Sequence, residues 1–315
     1  MRWSAVAVAI LLLVLDGCGA GGGAQDAAAP TCPEYSPATF GGDPWFLPPS
    51  QTTEAYARLG NLWELQGNAD WSCLCAPTDE RPASVDLTVQ GVVRDSVSRD
   101  PIGPANIAAF GWRDDQAIDD TTTDESGEYA VSLPSGSASV AFRVSDPSTS
   151  RFLDTVHLRP ALLPDVAVQD LDLDVMTQAT LVMLPAFIGV MYKQGFGLAG
   201  GAVVDCRGDR VANAVVTISD APLSTVHVDG AVTYYYSAGM TASTPVRHTT
   251  SATTNRDGLF LILDVPERAD AYIQAWGYVE GQTPGTDEMT LLSEVRTTVE
   301  ADRWMFARMA PRRAE

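Results

Sequence analysis

Gly91-Val92-Val93-Arg94-Asp95 returns in the second half of the chain as Gly201-Ala202-Val203-Val204-Asp205. Each copy continues through a turn-rich stretch into a short run, Ala105-Asn106-Ile107-Ala108-Ala109 in the first and Ala214-Val215-Val216-Thr217-Ile218 in the second. Thr123-Asp124-Glu125-Ser126-Gly127-Glu128-Tyr129 then matches Thr254-Asn255-Arg256-Asp257-Gly258-Leu259-Phe260. In both, polar residues lead to a glycine and on to an aromatic strand position. The glycine supplies the positive φ of a tight turn, and the Asp or Asn ahead of it bonds the turn's own backbone. Leu133-Pro134 is answered by Val265-Pro266, and residues 140–144 by 272–276. Self-similarity of this extent predicts one β unit built twice.

Each copy closes on an alternating segment. Leu171, Leu173 and Val175 alternate with Asp170, Asp172 and Asp174, and Val295, Thr297 and Val299 alternate with Glu294, Arg296, Thr298 and Glu300. Period two with one polar face predicts half-buried antiparallel strands. Short strands, glycine turns and little helical periodicity predict an all-β chain of two tandem sandwiches, over 85–176 and 198–310, preceded by a short Cys-containing segment over 32–84.

The order G-x-V-x-D, an A-x-V strand, T-[DN]-x-x-G-x-[YF], a [LV]-P turn and a strand ending in Gly277-Tyr278 resembles the carboxypeptidase regulatory-like domain. The resemblance implies a transthyretin-like Greek-key sandwich that accompanies peptidases, transporters or surface proteins and is not itself catalytic.

The second copy carries an insertion between Ser219 and Thr253. Thr225-Val226-His227-Val228, Asp229-Gly230 and Ala231-Val232-Thr233-Tyr234-Tyr235-Tyr236 read as strand, type I′ turn and strand. Three successive tyrosines put rings on both faces of a strand, so Tyr234, Tyr235 and Tyr236 either pack on their own sandwich or form an aromatic contact surface for glycan or protein. Tyr56, Leu59 and Trp63 fall at helical spacing after Thr53, predicting a short amphipathic helix that caps the first sandwich. The apolar run over 179–192, broken by Pro185 and Gly189, is too short to span a membrane and is expected to be buried at an inter-domain joint over 177–197.

At the amino terminus Arg2 precedes an apolar run over 5–15 that stops at Leu15-Asp16-Gly17-Cys18. A charged start, a short hydrophobic stretch and a small residue before the cut describe a secretory signal over 1–17. Leu15 to Cys18 resemble the lipobox of bacterial lipoproteins. That resemblance implies cleavage before Cys18, a diacylglycerol on its thiol and, with Gly19 following, an outer-membrane or cell-surface location. The Gly- and Ala-rich stretch over 18–31 reads as a flexible tether.

The remaining cysteines, Cys32, Cys73, Cys75 and Cys206, are even in number, as an oxidising compartment favours for disulfides. Cys73 and Cys75 are too close in sequence to bridge without strain, so Cys32 is expected to pair with one of them. A C-x-C with no nearby histidine lacks the paired knuckles of structural zinc.

Reactive centres are hard to assemble from this sequence. The three histidines, His157, His227 and His248, stand in no H-E-x-x-H setting, no G-x-S-x-G elbow is present, and the lone lysine, Lys193, follows no phosphate loop. Gly195 to Gly200 satisfies G-x-G-x-x-G but leads into the first strand of the second copy, whereas a dinucleotide site needs a helix there. Asp170, Asp172 and Asp174 imitate a calcium loop without its glycine and closing glutamate; Asp119, Asp120, Asp124 and Glu125 form a second acidic cluster around a turn.

Composition bounds the partners. The 315 residues carry 20 Lys+Arg against 40 Asp+Glu, a formal charge of −20, whose field repels nucleic acid. The expectation is a non-catalytic, lipid-anchored binding or structural module. It needs no cofactor or metal; its partners are the membrane, through Cys18, and an envelope protein or glycan. Two alternatives are a carbohydrate-binding or substrate-presenting accessory of a secreted enzyme, and an iron enzyme resembling the intradiol dioxygenases, with Tyr234 to Tyr236, His227 and His248 supplying the ligand types.

Overall fold

The computed structural model describes residues 47–60, 62–76, 82–111, 116–137, 140–148, 151–237, 244–247 and 250–313. An N-terminal pair of strands, β1 (Glu54–Leu59) and β2 (Leu62–Asn68), precedes the first unit. That unit comprises β3 (Leu87–Asp95), β4 (Asn106–Gly111), β5 (Ala117–Thr122), β6 (Glu128–Leu133), β7 (Val140–Ser145), β8 (Asp154–Leu158), β9 (Val168–Asp170) and β10 (Leu173–Val175). A helix, α1 (Gln178–Ile188), leads to the second unit. Its strands are β11 (Gly197–Val203), β12 (Arg210–Ala212), β13 (Val215–Ser219), β14 (Val232–Tyr236), β15 (Pro245–Val246), β16 (Leu259–Val265), β17 (Arg268–Gly277), β18 (Thr290–Val299) and β19 (Arg303–Met309).

The architecture is all-β apart from α1 among the described residues. In the first unit, β10 and β9 lie along β3, which pairs with β6. Facing them is the order β5-β4-β7-β8, which continues without interruption into β19-β11-β16-β14-β15 of the second unit to make one nine-stranded sheet. A three-stranded sheet, β13-β17-β18, closes the second sandwich. The seam is a parallel pairing of β8 with β19, in the register Trp304↔Thr155, Met305↔Val156 and Phe306↔His157.

The repeated motifs do the same physical work in both units. Thr123 Oγ1 accepts the Ala105 N–H at 2.8 Å, and Thr254 Oγ1 accepts that of Ala214 at 2.9 Å. Gly127 and Gly258 close the matching turns at φ +78° and +65°. Asp95 and Asp205, the last residues of the G-x-V-x-D motifs, are 2% and 1% exposed and accept backbone N–H groups of the turn that follows. Each unit has its own core. Val89, Val93, Ile107, Val131, Phe142 and Val144 fill the first, and Val203, Val216, Phe260, Ile262, Ile273 and Met305 fill the second. Full burial of each such side chain contributes roughly 1.5–3 kcal/mol.

The first closing segment differs from the antiparallel strand that its alternation predicts, whereas the second, 295–299, is one. Residues 168–175 form two short strands, β9 and β10, both parallel to β3. In the second unit the strand parallel to the opening strand is β19, while 295–299 belong to β18, which pairs antiparallel with β17. The counterpart of Leu171 to Val175 is therefore β19. Period two reports which face is buried and is silent on strand direction.

Residues 53–65 form no helix. Tyr56, Leu59 and Trp63 sit on the β1–β2 hairpin, and β1 pairs with β12, so the hairpin extends the second unit and does not cap the first. Gly60, at φ +62°, turns the chain between the two strands. In the insertion, Gly230 turns the chain at φ +83°, but 225–228 form no strand opposite β14. That stretch instead runs beside β13, with the Val228 N–H donating to the Ile218 carbonyl, and β14 takes β15 and β16 as neighbours.

The apolar run after residue 177 is the half-covered helix α1. Thr177 caps it by accepting the Thr180 N–H, and Gly189 ends it at φ +80°. Leu181, Leu184 and Ile188 pack on Leu153, Met176, Leu198, Tyr234, Leu261 and Trp304, whereas Val182 and Met191 are 78% and 74% exposed. No described helix is long and apolar enough to cross a membrane.

Candidate functional site

The cysteines clamp the N-terminal segment to the second unit. Cys73 is bonded to Cys206 across 133 residues of chain, with Cα atoms 5.8 Å apart. Backbone bonds flank the bridge: the Cys206 N–H donates to Asp70, and the Asp70 N–H donates to the buried Asp205 carboxylate, both at 2.9 Å. Cys206 is thus the partner of Cys73, a pairing that local spacing could not reveal. Cys75 is also in a disulfide. The expectation placed on Cys32, like that on Cys18, lies outside the described residues.

Two of the three tyrosines are buried. Tyr235 faces the second core, 2% exposed, and its hydroxyl accepts the Val216 N–H at 2.9 Å. Tyr234 faces the opposite side of the sheet, 5% exposed beneath α1, and Tyr236 is half-buried beside it. Alternation places the rings on both faces, as expected; α1 covers Tyr234 and the second sheet covers Tyr235, while Tyr236 stays half-buried. Burial raises the pKa of all three hydroxyls.

His227 accepts the Ile218 N–H through Nδ1 at 3.1 Å. His157 lies on β8 with Nε2 2.9 Å from the Asp174 carbonyl; His248 lies outside the described residues. Two carboxylates of the acidic turn are occupied by the fold. Asp124 accepts the Ser126 and Glu128 N–H groups, and Asp119 accepts that of Ser132. Among the described residues no three His, Cys, Asp or Glu side chains are grouped to hold a metal ion. Gly197 to Gly200 lie within the fully buried strand β11.

A cleft of about 490 Å³ opens where the hairpin, the turn after β3 and the second unit meet. Tyr56, Arg58 and Trp63 come from the hairpin, Ser96, Arg99 and Asp174 from the first unit, and Arg210, Tyr236, Asp257, Trp304 and Phe306 from the second. Its volume lies in the range of small-molecule sites, about 300–1,000 Å³. Aromatic walls and polar groups alternate around it. Trp304 and Phe306 meet edge to face at 5.3 Å, and Arg58 stands over the Trp63 ring at 5.9 Å. Arg99 and Asp174 form an ion pair. Burial raises the Asp174 carboxyl against the pull of Arg99, and burial lowers Arg210 against that of Asp257 and Asp174.

Several polar atoms of the cleft lack partners among the described residues. Trp304, 2% exposed, has an unpartnered Nε1–H, and the Ser96 Oγ is buried without a hydrogen bond. The Arg210 guanidinium meets the opposite charges of Asp257 and Asp174 and the like charges of Arg308 and Arg58. Native interiors satisfy nearly all such groups, so a concentration of exceptions at one cavity calls for an explanation. The sequence held no indication of this site, because its residues come from segments far apart along the chain.

No protein-family model matches the chain, and no curated protein matches it. Solved structures that resemble it include a streptococcal ancillary pilin, at 16% identity and TM-score 0.22, covering 75% of this chain and 64% of the pilin. The chain therefore spans less than two thirds of that protein. A candidate carbohydrate-binding protein from Bacteroides uniformis is similar at 14% identity and TM-score 0.23, covering 68% of this chain and 99% of its own. The shaft pilin SpaA of Lactobacillus rhamnosus GG follows at 11% identity and TM-score 0.20, with 72% and 97% covered. At these TM-scores the similarity bears on neither function nor partners.

Proposed function

We propose that this chain is a non-catalytic binding or structural module, held at the outer membrane or surface of a bacterial cell, on its periplasmic or extracellular side, by lipid on Cys18. The observation that carries the reading is the uninterrupted nine-stranded sheet, which joins the two sandwiches into one body. Such a body suits holding or bridging: it offers loops, a strand edge at β2 and a cleft in fixed relation, as expected of sites carried on rigid elements. Leu15-Asp16-Gly17-Cys18 supplies the anchor and 18–31 the reach away from the bilayer. A single lipid chain binds membranes only marginally, whereas the diacylglycerol supplies two, enough for stable attachment.

Metabolic labelling with an alkyne fatty acid tests this. The intact chain incorporates label and fractionates with membranes, and Cys18→Ser loses both while the folded part remains soluble. Unlabelled chain in the soluble periplasmic fraction would remove the anchor from the account.

A further inference from the structure

We propose that the cleft between the β1–β2 hairpin and the two units binds a neutral oligosaccharide; this deepens the reading of the chain as a binding module. Three observations point the same way. The cavity, about 490 Å³, is large enough for a small-molecule ligand. Its rings, from Tyr56, Trp63, Tyr236 and Phe306, offer flat apolar faces of the kind that pack against the C–H faces of a sugar ring. Its unpartnered groups include the Trp304 Nε1–H and the Ser96 hydroxyl, and the Arg210 guanidinium lines the same wall with Asp257 and Asp174 as its charged neighbours; such a lining calls for a ligand rich in hydroxyl oxygens.

Charge narrows the class. Arg58, Arg99 and Arg210 in the wall disfavour a cationic ligand. Asp174 and Asp257 face Arg210 from the first and second units, and the whole chain carries −20, so an anionic ligand meets both local carboxylates and a repelling field. A polyhydroxylated, uncharged ligand presents donors to Asp174 and Asp257 and acceptors to Arg210, Ser96 and Trp304 at once. Glycans answer both requirements, the alternating hydroxyls and the apolar ring faces.

The test is titration of the full chain, extracted in a detergent without a sugar headgroup, with cellohexaose, xylohexaose, maltohexaose and chitohexaose, and with hexagalacturonate as the acidic arm. Calorimetry and tryptophan emission are the readouts, since Trp63 and Trp304 both line the cleft. At least one neutral hexasaccharide is expected to bind saturably and to perturb tryptophan emission. Trp63→Ala, at the half-exposed rim, should weaken it tenfold or more, and Ser96→Ala, which removes only the unpartnered hydroxyl, about tenfold. Val226→Ala, on an exposed loop residue outside the lining, should leave it unchanged, and matched thermal melts verify folding of all three. Absence of binding by every neutral hexasaccharide at millimolar concentration, binding by hexagalacturonate alone, or binding undiminished in Trp63→Ala and Ser96→Ala would overturn the proposal. The lipid-labelling result is independent of this titration, so loss of glycan binding in a labelled, membrane-bound chain removes the ligand assignment and leaves the module reading standing.

Discussion

A side-chain carbon placed on Gly201 would lie 1.9 Å from the carbonyl oxygen of Ala307, inside the parallel pairing of β11 with β19. The first unit repeats the arrangement, where the same carbon on Gly91 would meet the Leu171 carbonyl oxygen at 2.0 Å. The leading glycine of each G-x-V-x-D motif thus admits the backbone of the segment that closes its unit, β19 in the second and the link between β9 and β10 in the first. In the first unit the Tyr129 hydroxyl then donates to that Leu171 carbonyl at 2.6 Å.

Gly201→Ala should therefore destabilise the chain by about 3 kcal/mol, the upper part of the range for overpacking, because the obstructing atoms are backbone and cannot rotate away. Gly136→Ala is the comparison, since no atom lies within 4 Å of its added carbon and only its φ of +91° is unfavourable, worth about 1 kcal/mol. Urea unfolding of both variants measures the difference. Equal losses would mean that β19 does not approach β11 as closely as described.

His157 gives the seam between the units a pH dependence. Its ring lies 5.3 Å from that of Phe306 across the β8–β19 pairing, and its Nε2–H donates to the Asp174 carbonyl, beside the Asp174–Arg99 ion pair. Burial pushes its pKa down to about 4 against a weaker pull from the carbonyl. The folded state keeps the ring neutral where the unfolded chain takes up a proton. Stability is thus complete above about pH 6.5 and declines as pH falls toward 4, by about 3 kcal/mol in all.

Replacing the ring isolates this effect: His157→Gln should flatten the stability profile between pH 6.5 and 4. For Asp95 and Asp146 burial acts upward but hydrogen bonds outweigh it, from Thr177, Ser98 and Val97 to the first and from Arg151 and Ser148 to the second. Both stay below the usual carboxylate range, so their contribution is lost only at lower pH, through their depressed folded pKa values. An unchanged slope in the variant would show that His157 titrates normally.

The Cys73–Cys206 bridge closes a loop of 133 residues, for which the chain-entropy model gives about 4–5 kcal/mol. The paired substitution Cys73→Ser with Cys206→Ser should lower the unfolding free energy by about 4 kcal/mol. Amide exchange over 54–68 should speed up more than that over β16 or β17. Uniform acceleration would indicate that the bridge constrains the whole body and not the hairpin in particular.

The sequence discloses what local chemistry decides. Gly127 and Gly258, with Asp124 ahead of the first, act within a local turn, and that part is readable from spacing; the reach of Thr123 to Ala105 and of Thr254 to Ala214 spans 18 and 40 residues and is not. The misreadings share one cause. Tyr56, Leu59 and Trp63 have helical spacing, and only β12, far along the chain, makes that stretch a strand. Val226 and His227 had a strand's neighbours in sequence but run beside β13 in the fold. Tyr234 needed α1 to cover it, and Cys73 needed Cys206. The cleft is the extreme case, assembled from hairpin, first unit and second unit together.

Hydrogen-bond scalar couplings in deuterated protein measure the seam directly, because they pass only through a formed backbone bond. Couplings linking β8 to β19 in the register Thr155↔Trp304, Val156↔Met305 and His157↔Phe306 are the predicted result. Their absence, with the amides of both strands exchanging within minutes, would contradict a single sheet shared by the two sandwiches.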